Sequence, residues 1–201
     1  MIALAAPRPR RFGHLLKLRR STRNFTTTEI QLERIADALW HAAGETQDGR
    51  RVSASARATY PVNLTLVAGS VADLPIGTYR YEPREHALEI VAAGDTRQDV
   101  AEMTLDAGSW LGDCPALFIA SANTTRAPSA LADQPAEHSR HFAWMEVGFL
   151  VQNISIWAAE TGLGAVVIAG FDDSKARSVS ERLLPVENEL LAVIAIGERA
   201  R

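Results

Sequence analysis

Three arginines and a serine lie within five positions near the amino terminus, in the stretch LRRSTRNF (18–25). The guanidinium groups of Arg19, Arg20 and Arg23 are rigid forks of N–H donors that match phosphate oxygens, and Ser21 adds a hydroxyl donor. The stretch is therefore a candidate socket for a terminal phosphate. Its own composition leaves three other interpretations open, namely a solvated basic surface, part of a targeting peptide, and a nucleic-acid contact.

The charges that follow the stretch weigh against a polyanion partner. Acidic residues return at Glu29, Glu33 and Asp37, and the formal net charge of the chain is -3. Nucleic-acid binders carry further basic patches, often with interleaved aromatic residues, and none follows here. We therefore expect no nucleic acid as a partner. The amino-terminal 15 residues are rich in arginine and free of acids, and we expect either a flexible arm or, less readily, a transit peptide.

Composition indicates an ordinary folded domain. The chain has 201 residues, of which 47% are hydrophobic and 22% charged, and this balance is typical of globular proteins. The longest apolar runs, such as 190–197, have the length of strands, so we expect no membrane span. The only cysteine, Cys114, excludes an internal disulfide and fits the cytoplasm. It precedes Pro115 at the start of an apolar run, which favours a small buried residue over a nucleophile.

Other chemical signatures are weak or missing. His138 and His141 are three positions apart, but without nearby carboxylates or cysteines they predict no metal site. Phosphate-binding P-loop, dinucleotide-binding and nucleophile-elbow motifs are absent from the sequence. The serine-rich stretch RVSASARATYP (51–61) contains small residues that would let backbone N–H groups approach a ligand, although by itself it is more simply a plain loop.

Hydrophobic periodicity predicts a single α+β or α/β domain over 1–201, with a mixed sheet flanked by helices. A helix opens with Thr28 and Gln31 at capping-box spacing and ends at Gly44. The helix from Ser139 to Gly162 is apolar on several faces, which predicts a central helix that also packs against a second subunit. The remaining predicted elements are strands at 62–69, 115–122, 164–171 and 190–197, a hairpin at 77–91, and helices at 95–110 and 172–184.

Taken in order, these motifs resemble the FMN-dependent nitroreductase family, and most closely its SagB-type branch of azoline-oxidase-like dehydrogenases. The family's R-R-S-x-R-x-F motif is matched at 19–25, and its helix ending A-x-G at 39–45. The branch's segment like R-x-x-P-S-A-G-A-L-Y-P corresponds to 54–61. Later matches are Glu146, Gly148, Gln152 and Asn153 on the long helix, then Gly162, Leu163, Gly164, Gly170 and Phe171, and finally Ala195, Ile196 and Gly197.

The resemblance implies a homodimer with FMN at the interface and NAD(P)H as the reductant. Electrons would pass through flavin N5 to a small nitro- or quinone-like acceptor in a ping-pong cycle, without a catalytic side chain. It implies three main groups of cofactor residues: Arg19, Arg20, Ser21 and Arg23 for the phosphate and ribityl chain; Ala54, Ser55, Ala56 and Ala58 from the partner subunit, lining the isoalloxazine; and Val167, Ile168, Ala169 and Gly170 along the flavin. It further places Ser109 at the ribityl or pyrimidine side, and Arg199 and Arg201 at a late phosphate contact.

Three departures from the family pattern affect the substrate side. Ala54 replaces the family's proline, and the chain ends four residues after Gly197. Arg57 replaces the family's glycine, so a long cation either serves an anionic substrate or blocks the pocket. Two alternatives therefore stay open: oxidation of a ring or peptide substrate by the flavin, and a flavin-binding module without turnover.

Overall fold

Six strands form one sheet that organises the domain. The computed structural model describes residues 8–106, 108–124, 129–135 and 137–200. Within these ranges, only the backbone of Ser109 is described. The strands lie in the order β3-β2-β1-β4-β6-β5, and each neighbouring pair is antiparallel. Parallel pairing occurs at isolated bridges such as Ser21 with Ala165. The strands are β1 (Val62–Ala68), β2 (Gly77–Glu82), β3 (Ala87–Ala93), β4 (Ala116–Ala122), β5 (Leu163–Ile168) and β6 (Glu189–Glu198).

Helices cover both faces of this sheet. They are α1 (Arg11–Leu18), α2 (Leu32–Ala43), α3 (Arg97–Glu102), α4 (Gly108–Leu111), α5 (His138–Thr161) and α6 (Asp173–Leu183). Alternate residues of the central strand β4 face opposite sides: Phe118 packs in the core that includes α2 and α5, whereas Leu117 and Ile119 pack in the core that includes α3 and α6. Burial on both faces explains why β4 is apolar at every position except Ser121. The α+β prediction with a long central helix is confirmed.

Local signals set several helix boundaries as predicted. The side chain of Asp172 accepts hydrogen bonds from the backbone N–H groups of Ser174 and Lys175 and so caps α6. Helix α5 ends at Gly162, whose φ of 78° lies in the left-handed region that glycine adopts without strain. The hairpin of β2 and β3 and the strands β1, β4 and β6 also lie where the sequence predicts them.

Three predicted boundaries are wrong because backbone groups bond elsewhere. Helix α2 begins at Leu32, not at Thr28, since Ile30 bridges to Val71 and keeps the preceding backbone extended. The predicted helix 95–110 is broken between α3 and α4, where Leu105 N–H donates to the Gly170 carbonyl (3.1 Å). Strand β5 ends at Ile168, because the chain turns there to make this contact. Residues 11–15 of the predicted flexible arm (1–15) are helical, because they form the first part of α1 (Arg11–Leu18).

Candidate functional site

The arginine motif runs along the edge of the sheet as an extended segment. Backbone bonds hold it on both sides: Thr22 N–H donates to the Ala165 carbonyl of β5 (3.1 Å), and Thr26 N–H donates to the Glu198 carbonyl of β6 (2.9 Å). Gly164 permits this approach, because a Cβ there would lie 2.6 Å from the Thr22 Cγ2. The motif is thus fixed in register against the carboxyl-terminal strands.

The motif's cations have no acidic partners in the described part of the chain. Arg20, Ser21 and Arg23 are exposed and Arg19 is half-buried, and none of the three arginines forms an ion pair there. The Arg20 guanidinium donates to the carbonyls of Lys17 (2.7 Å) and Arg19 (2.8 Å) at the end of α1. A cation there stabilises the helix terminus, so Arg20 is partly committed to a structural contact, whereas Arg19 and Arg23 are not.

Strand β5 forms the sheet edge beside the motif. The backbone N–H and C=O groups of successive β5 residues point alternately toward β6 and toward the edge. The carbonyl of Ala165 points toward the motif at this edge. The backbone N–H of Val167, two residues later, therefore points to the same edge. Val167, Ala169 and Gly170 are exposed and Ile168 is half-buried. A Cβ on Gly170 would meet only Leu105 Cδ1, at an ordinary 3.7 Å. The fold itself therefore does not require glycine at this position.

The predicted cofactor residues Ser109, Arg199 and Arg201 are only partly described. Arg199 pairs with Phe25 of the motif segment, and its Nε donates to the Leu163 carbonyl (2.9 Å). Ser109 lies in α4 next to Trp110, whose ring is 6.0 Å from that of Phe25. The side chain of Ser109 and the whole of Arg201 lie outside the described residues. Arg199 is thus brought to the motif, and α4 is close to it.

The segment 54–58 has a strained backbone that exposes small side chains. Arg57, Ala58 and Tyr60 have φ values of 49°, 54° and 46°, in the left-handed region that costs non-glycine residues roughly 1–2 kcal/mol each. Ala54 and Ala58 are exposed, and Ser55 and Ala56 are half-buried. Strain of this kind persists where neighbouring contacts fix the backbone, and it is concentrated at functional sites.

Residues of the central helix α5 provide those contacts. Glu146 is 4% exposed, and its carboxylate accepts from the backbone N–H of Val62 (3.4 Å) and is hydrogen-bonded to the side chain of Ser55. The Ser55 hydroxyl oxygen in turn accepts from Tyr60 N–H (2.8 Å). Asn153 donates to Ser53 Oγ (3.1 Å) one segment earlier. Burial is the main cause that raises the pKa of Glu146 above its ordinary value.

Arg57 is turned toward a second loop. Its guanidinium donates both ends of its fork to the carboxylate of Asp133, at 2.6 and 2.9 Å, and also donates to the Ala130 carbonyl at 2.8 Å. These hydrogen bonds are the main reason that the pKa of Asp133 lies below its ordinary value. Both side chains are exposed, Arg57 by 52% and Asp133 by 59%. Sequence reasoning alone did not identify Asp133 as the partner of Arg57.

Within one chain, the segment 54–58 and the arginine motif do not meet. No hydrogen bond or ion pair joins them among the described residues, because 54–58 is tied to α5 and to the loop at 130–133 whereas the motif is tied to β5 and β6. Two cavities, of about 650 Å³ beside α6 and about 240 Å³ between α1, α2 and α5, are lined by neither group. Within one chain, the predicted cofactor residues therefore belong to two separate parts of the surface.

Cys114 and the pair of His138 and His141 are the remaining candidate groups of the sequence. Cys114 is buried, and burial raises the pKa of its thiol to about 12, which leaves little reactive thiolate. His138 and His141 have ring centres 5.8 Å apart, and the described residues contain no cluster of three or more histidine, cysteine or acidic side chains suited to a metal ion. In the described part of the chain, no helix combines the length and the apolar character needed to cross a membrane.

Comparison with known proteins identifies the family. The model of the nitroreductase family matches residues 16–198, a range that includes the arginine motif, the central helix and all six strands. The chain belongs to the nitroreductase family. A candidate nitroreductase of Methanocaldococcus jannaschii is 26% identical over 182 residues, which are 90% of this chain and 87% of that protein. The family match and this relative support an oxidoreductase.

Solved structures agree with this family assignment. A candidate nitroreductase from Ralstonia eutropha superposes with a TM-score of 0.77 and 25% identity, over 97% of this chain and 88% of its own. A chain of the microcin synthetase McbBCD complex of Escherichia coli, solved with truncated pro-MccB17 bound, superposes with a TM-score of 0.71. It is also 25% identical, over 89% of this nitroreductase-family chain and 68% of its own length.

Proposed function

We propose that this nitroreductase-family protein is an FMN-dependent oxidoreductase that takes electrons from NAD(P)H and passes them to a small organic acceptor. The observation that carries the proposal is the set of cations at the sheet edge. Arg19 and Arg23 have no carboxylate partner in the described chain. Their positive charges therefore repel each other without a neighbouring negative charge to offset the repulsion. A dianionic phosphate would neutralise them with charge-assisted hydrogen bonds.

The donor chemistry of the edge fits FMN. Arg19, Arg23 and Ser21 would bind the phosphate, with Arg199 beside them and Arg20 contributing through its remaining N–H groups. The backbone of Val167 to Gly170 would lie along the flavin ring, and the outward N–H of Val167 is available as a donor. The absence of a side chain at Gly170, where the fold would accept a Cβ, leaves room for a planar ring.

The site is completed by a second copy of the chain in this proposal. Ala54, Ser55, Ala56 and Ala58 would line the opposite side of the flavin. The hydrogen bonds of Glu146 to Ser55 and Val62, and of Ser55 to Tyr60, fix the backbone of this segment. The separation of this segment from the arginine motif within one chain agrees with contributions from two chains. Exposed apolar residues of α5, namely Trp144, Met145 and Phe149, provide a surface on which a homodimer could form.

FMN, when bound, would supply the redox chemistry, accepting a hydride at N5 and delivering electrons to the acceptor. The chain's own residues bind the phosphate, orient the ring and present a backbone donor and positive charge, which favour negative charge on the ring. No side-chain acid or base is required. We include a cytoplasmic location in the proposal, where NAD(P)H is present and the single cysteine stays reduced.

A second candidate function is oxidation of a ring or peptide substrate by the flavin. The specific observation in its favour is the likeness to a chain of the microcin synthetase complex, solved with truncated pro-MccB17 bound, together with the SagB-like spacing of 54–61. The same FMN site would serve either direction. If NAD(P)H reduces the bound flavin and the electrons then pass rapidly to a quinone, the first function is favoured. If NAD(P)H does not reduce the bound flavin, the second function is favoured.

The test is titration of the purified protein with FMN, followed by anaerobic addition of NADPH. We expect a yellow protein that releases FMN on denaturation and bleaches with NADPH. Replacement of both Arg19 and Arg23 by alanine should abolish FMN retention while the chain stays folded, because two charge-assisted phosphate contacts are lost. Arg84→Ala, an exposed arginine in the β2–β3 turn, is the matched control and should bind FMN normally. A binding module without turnover would hold FMN but fail to bleach.

A further inference from the structure

Arg57 occupies a backbone position that suits glycine better. Its φ of 49° and ψ of 30° lie in the left-handed region, and β-carbons are disfavoured there. The next residue, Ala58, is also left-handed, so the whole turn is strained. Strain of this kind is concentrated at functional sites, which makes the side chain of Arg57 a candidate for a functional role.

The contact with Asp133 does not by itself supply that role. Both side chains of the pair are more than half exposed, and ion pairs in water-accessible positions contribute little to stability because solvent screens them and side-chain entropy opposes them. The pair nevertheless shows how the guanidinium is presented. Its two nitrogens are directed at the two oxygens of one carboxylate, at 2.6 and 2.9 Å, which is the geometry of bidentate carboxylate recognition.

We propose that Arg57 recognises the carboxylate of an anionic substrate, and that Asp133 occupies the guanidinium fork until that substrate arrives. This inference rests on the proposed function, in which 54–58 borders the flavin and its substrate. The exchange is energetically accessible, since an exposed carboxylate is replaced by another of the same chemistry. The Ala130 carbonyl, which also accepts from Arg57 at 2.8 Å, would keep the side chain oriented during the exchange.

Asp133 in this inference competes with the substrate and does not bind it. Removing its charge frees the guanidinium fork, whereas removing the charge of Arg57 eliminates carboxylate recognition. The two substitutions therefore have opposite effects on anionic ligands. If the pair only fastened the loop at 130–133, the two substitutions would act in the same direction, because each breaks the same contact.

The experiment measures binding of benzoate and of its neutral counterpart benzamide to the FMN-loaded, full-length protein by calorimetry. We expect the wild type to prefer benzoate. Arg57→Gln should lower this preference by roughly tenfold, the contribution of one charge-assisted pair, and Asp133→Asn should increase it. Arg84→Gln and Glu85→Gln, exposed charges in the β2–β3 turn, are controls for general electrostatics and should leave the preference unchanged.

Each outcome decides the question. Opposite shifts in the two variants support the inference, and an unchanged or parallel shift overturns it, as does a wild type that prefers benzamide or binds neither ligand. If Arg57→Gln does not hold FMN, Asp133→Asn alone decides, because an unchanged preference there overturns the competition. Failure of the wild type to take up FMN overturns the proposed function together with this inference, whereas FMN uptake with unchanged preferences overturns the inference alone.

Discussion

Glu146 is a buried carboxyl group that links the central helix to the segment 54–62. Its carboxylate meets Ser55 and the backbone N–H of Val62, and this network holds the left-handed residues that follow Ser55. The matching residue of the family motif lies on the long helix, but the sequence alone did not assign it a role. The signal that could have found it is an acidic residue at an otherwise buried helical position, which needs a hydrogen-bond partner.

The stability contributed by Glu146 should depend on pH. Burial raises its pKa, so ionisation costs more in the folded chain than in the unfolded one. The contribution of Glu146 to the free energy of unfolding is complete below the ordinary pKa of the group. It is lost as the pH rises through the higher pKa that Glu146 has in the folded protein. The measurement is urea unfolding at about pH 5 and about pH 8. Because Glu146→Gln stays neutral, we expect its stability relative to the wild type to be greater at the higher pH.

Glu146→Ala provides the contrast for this measurement. It leaves the Val62 N–H and the Ser55 hydroxyl without their partner, which costs about 1–3 kcal/mol, and it should destabilise the protein at every pH. Equal stability differences between the wild type and Glu146→Gln at both pH values would contradict the assigned role of the carboxyl group.

Single residues were predictable where chemistry is local. The buried position of Cys114 follows from residue type and immediate neighbours. The arginine motif is visible in the sequence itself, and its role as a phosphate socket stays a prediction. The partner of Arg57 was not predictable, because Asp133 is 76 positions away and the two meet only through tertiary folding. The left-handed backbone at Arg57 was not predictable either. Arginine does not favour that conformation, and no residue adjacent in sequence indicates it.

At the scale of elements, two glycines of the same region have different reasons to be glycine. Gly164 lies in β5 against Thr22, where a Cβ would be only 2.6 Å from Cγ2. Gly170 follows the end of β5, where a Cβ would meet Leu105 at an ordinary distance. The first is required by the chain's own packing, and we attribute the second to the space needed beside the flavin.

Alanine at each glycine separates these roles. Gly164→Ala should destabilise the fold by about 1–3 kcal/mol, as overpacking does, because it displaces the motif segment. Gly170→Ala should leave the melting temperature close to that of the wild type but weaken FMN binding. Thermal unfolding and FMN titration of both variants provide the check, and normal FMN affinity in Gly170→Ala would refute the second assignment.

Element boundaries were predicted less well than element types. Strand periodicity and turn residues predicted β1, β4, β6 and the β2–β3 hairpin correctly, because those signals act over a few residues. The start of α2 was wrong because the bridge between Ile30 and Val71 outweighs the capping-box spacing of Thr28 and Gln31. The break between α3 and α4 arises from bonds to residues 170–172, which helical periodicity does not reveal.

At the scale of the whole molecule, the central helix has one face that the described residues leave exposed. Met145 is 56% exposed, and Trp144 and Phe149 beside it are also large and exposed. Gly148 lies between them, and a Cβ there would meet nothing within 4 Å. The sequence predicted burial of α5 on several faces, and one chain provides only part of that burial.

Charges on this face should therefore prevent dimer formation. We expect Met145→Glu with Phe149→Glu to convert a dimer into a monomer in sedimentation velocity, because two carboxylates would have to be desolvated in an apolar interface. FMN affinity should fall in the same variant, since the proposed site takes residues from both chains. Ile90→Glu, at an apolar residue of β3 that is 60% exposed, is the matched control and should stay dimeric. A wild-type monomer that binds FMN would contradict the two-chain site.

The measurement that tests the central claim most directly is the FMN titration of the wild type beside the Arg19→Ala, Arg23→Ala double variant. The account predicts a tightly held, equimolar FMN in the wild type and its loss in the double variant, with both proteins folded by circular dichroism. A colourless wild type that fails to take up added FMN, or a double variant with undiminished FMN affinity, would contradict it.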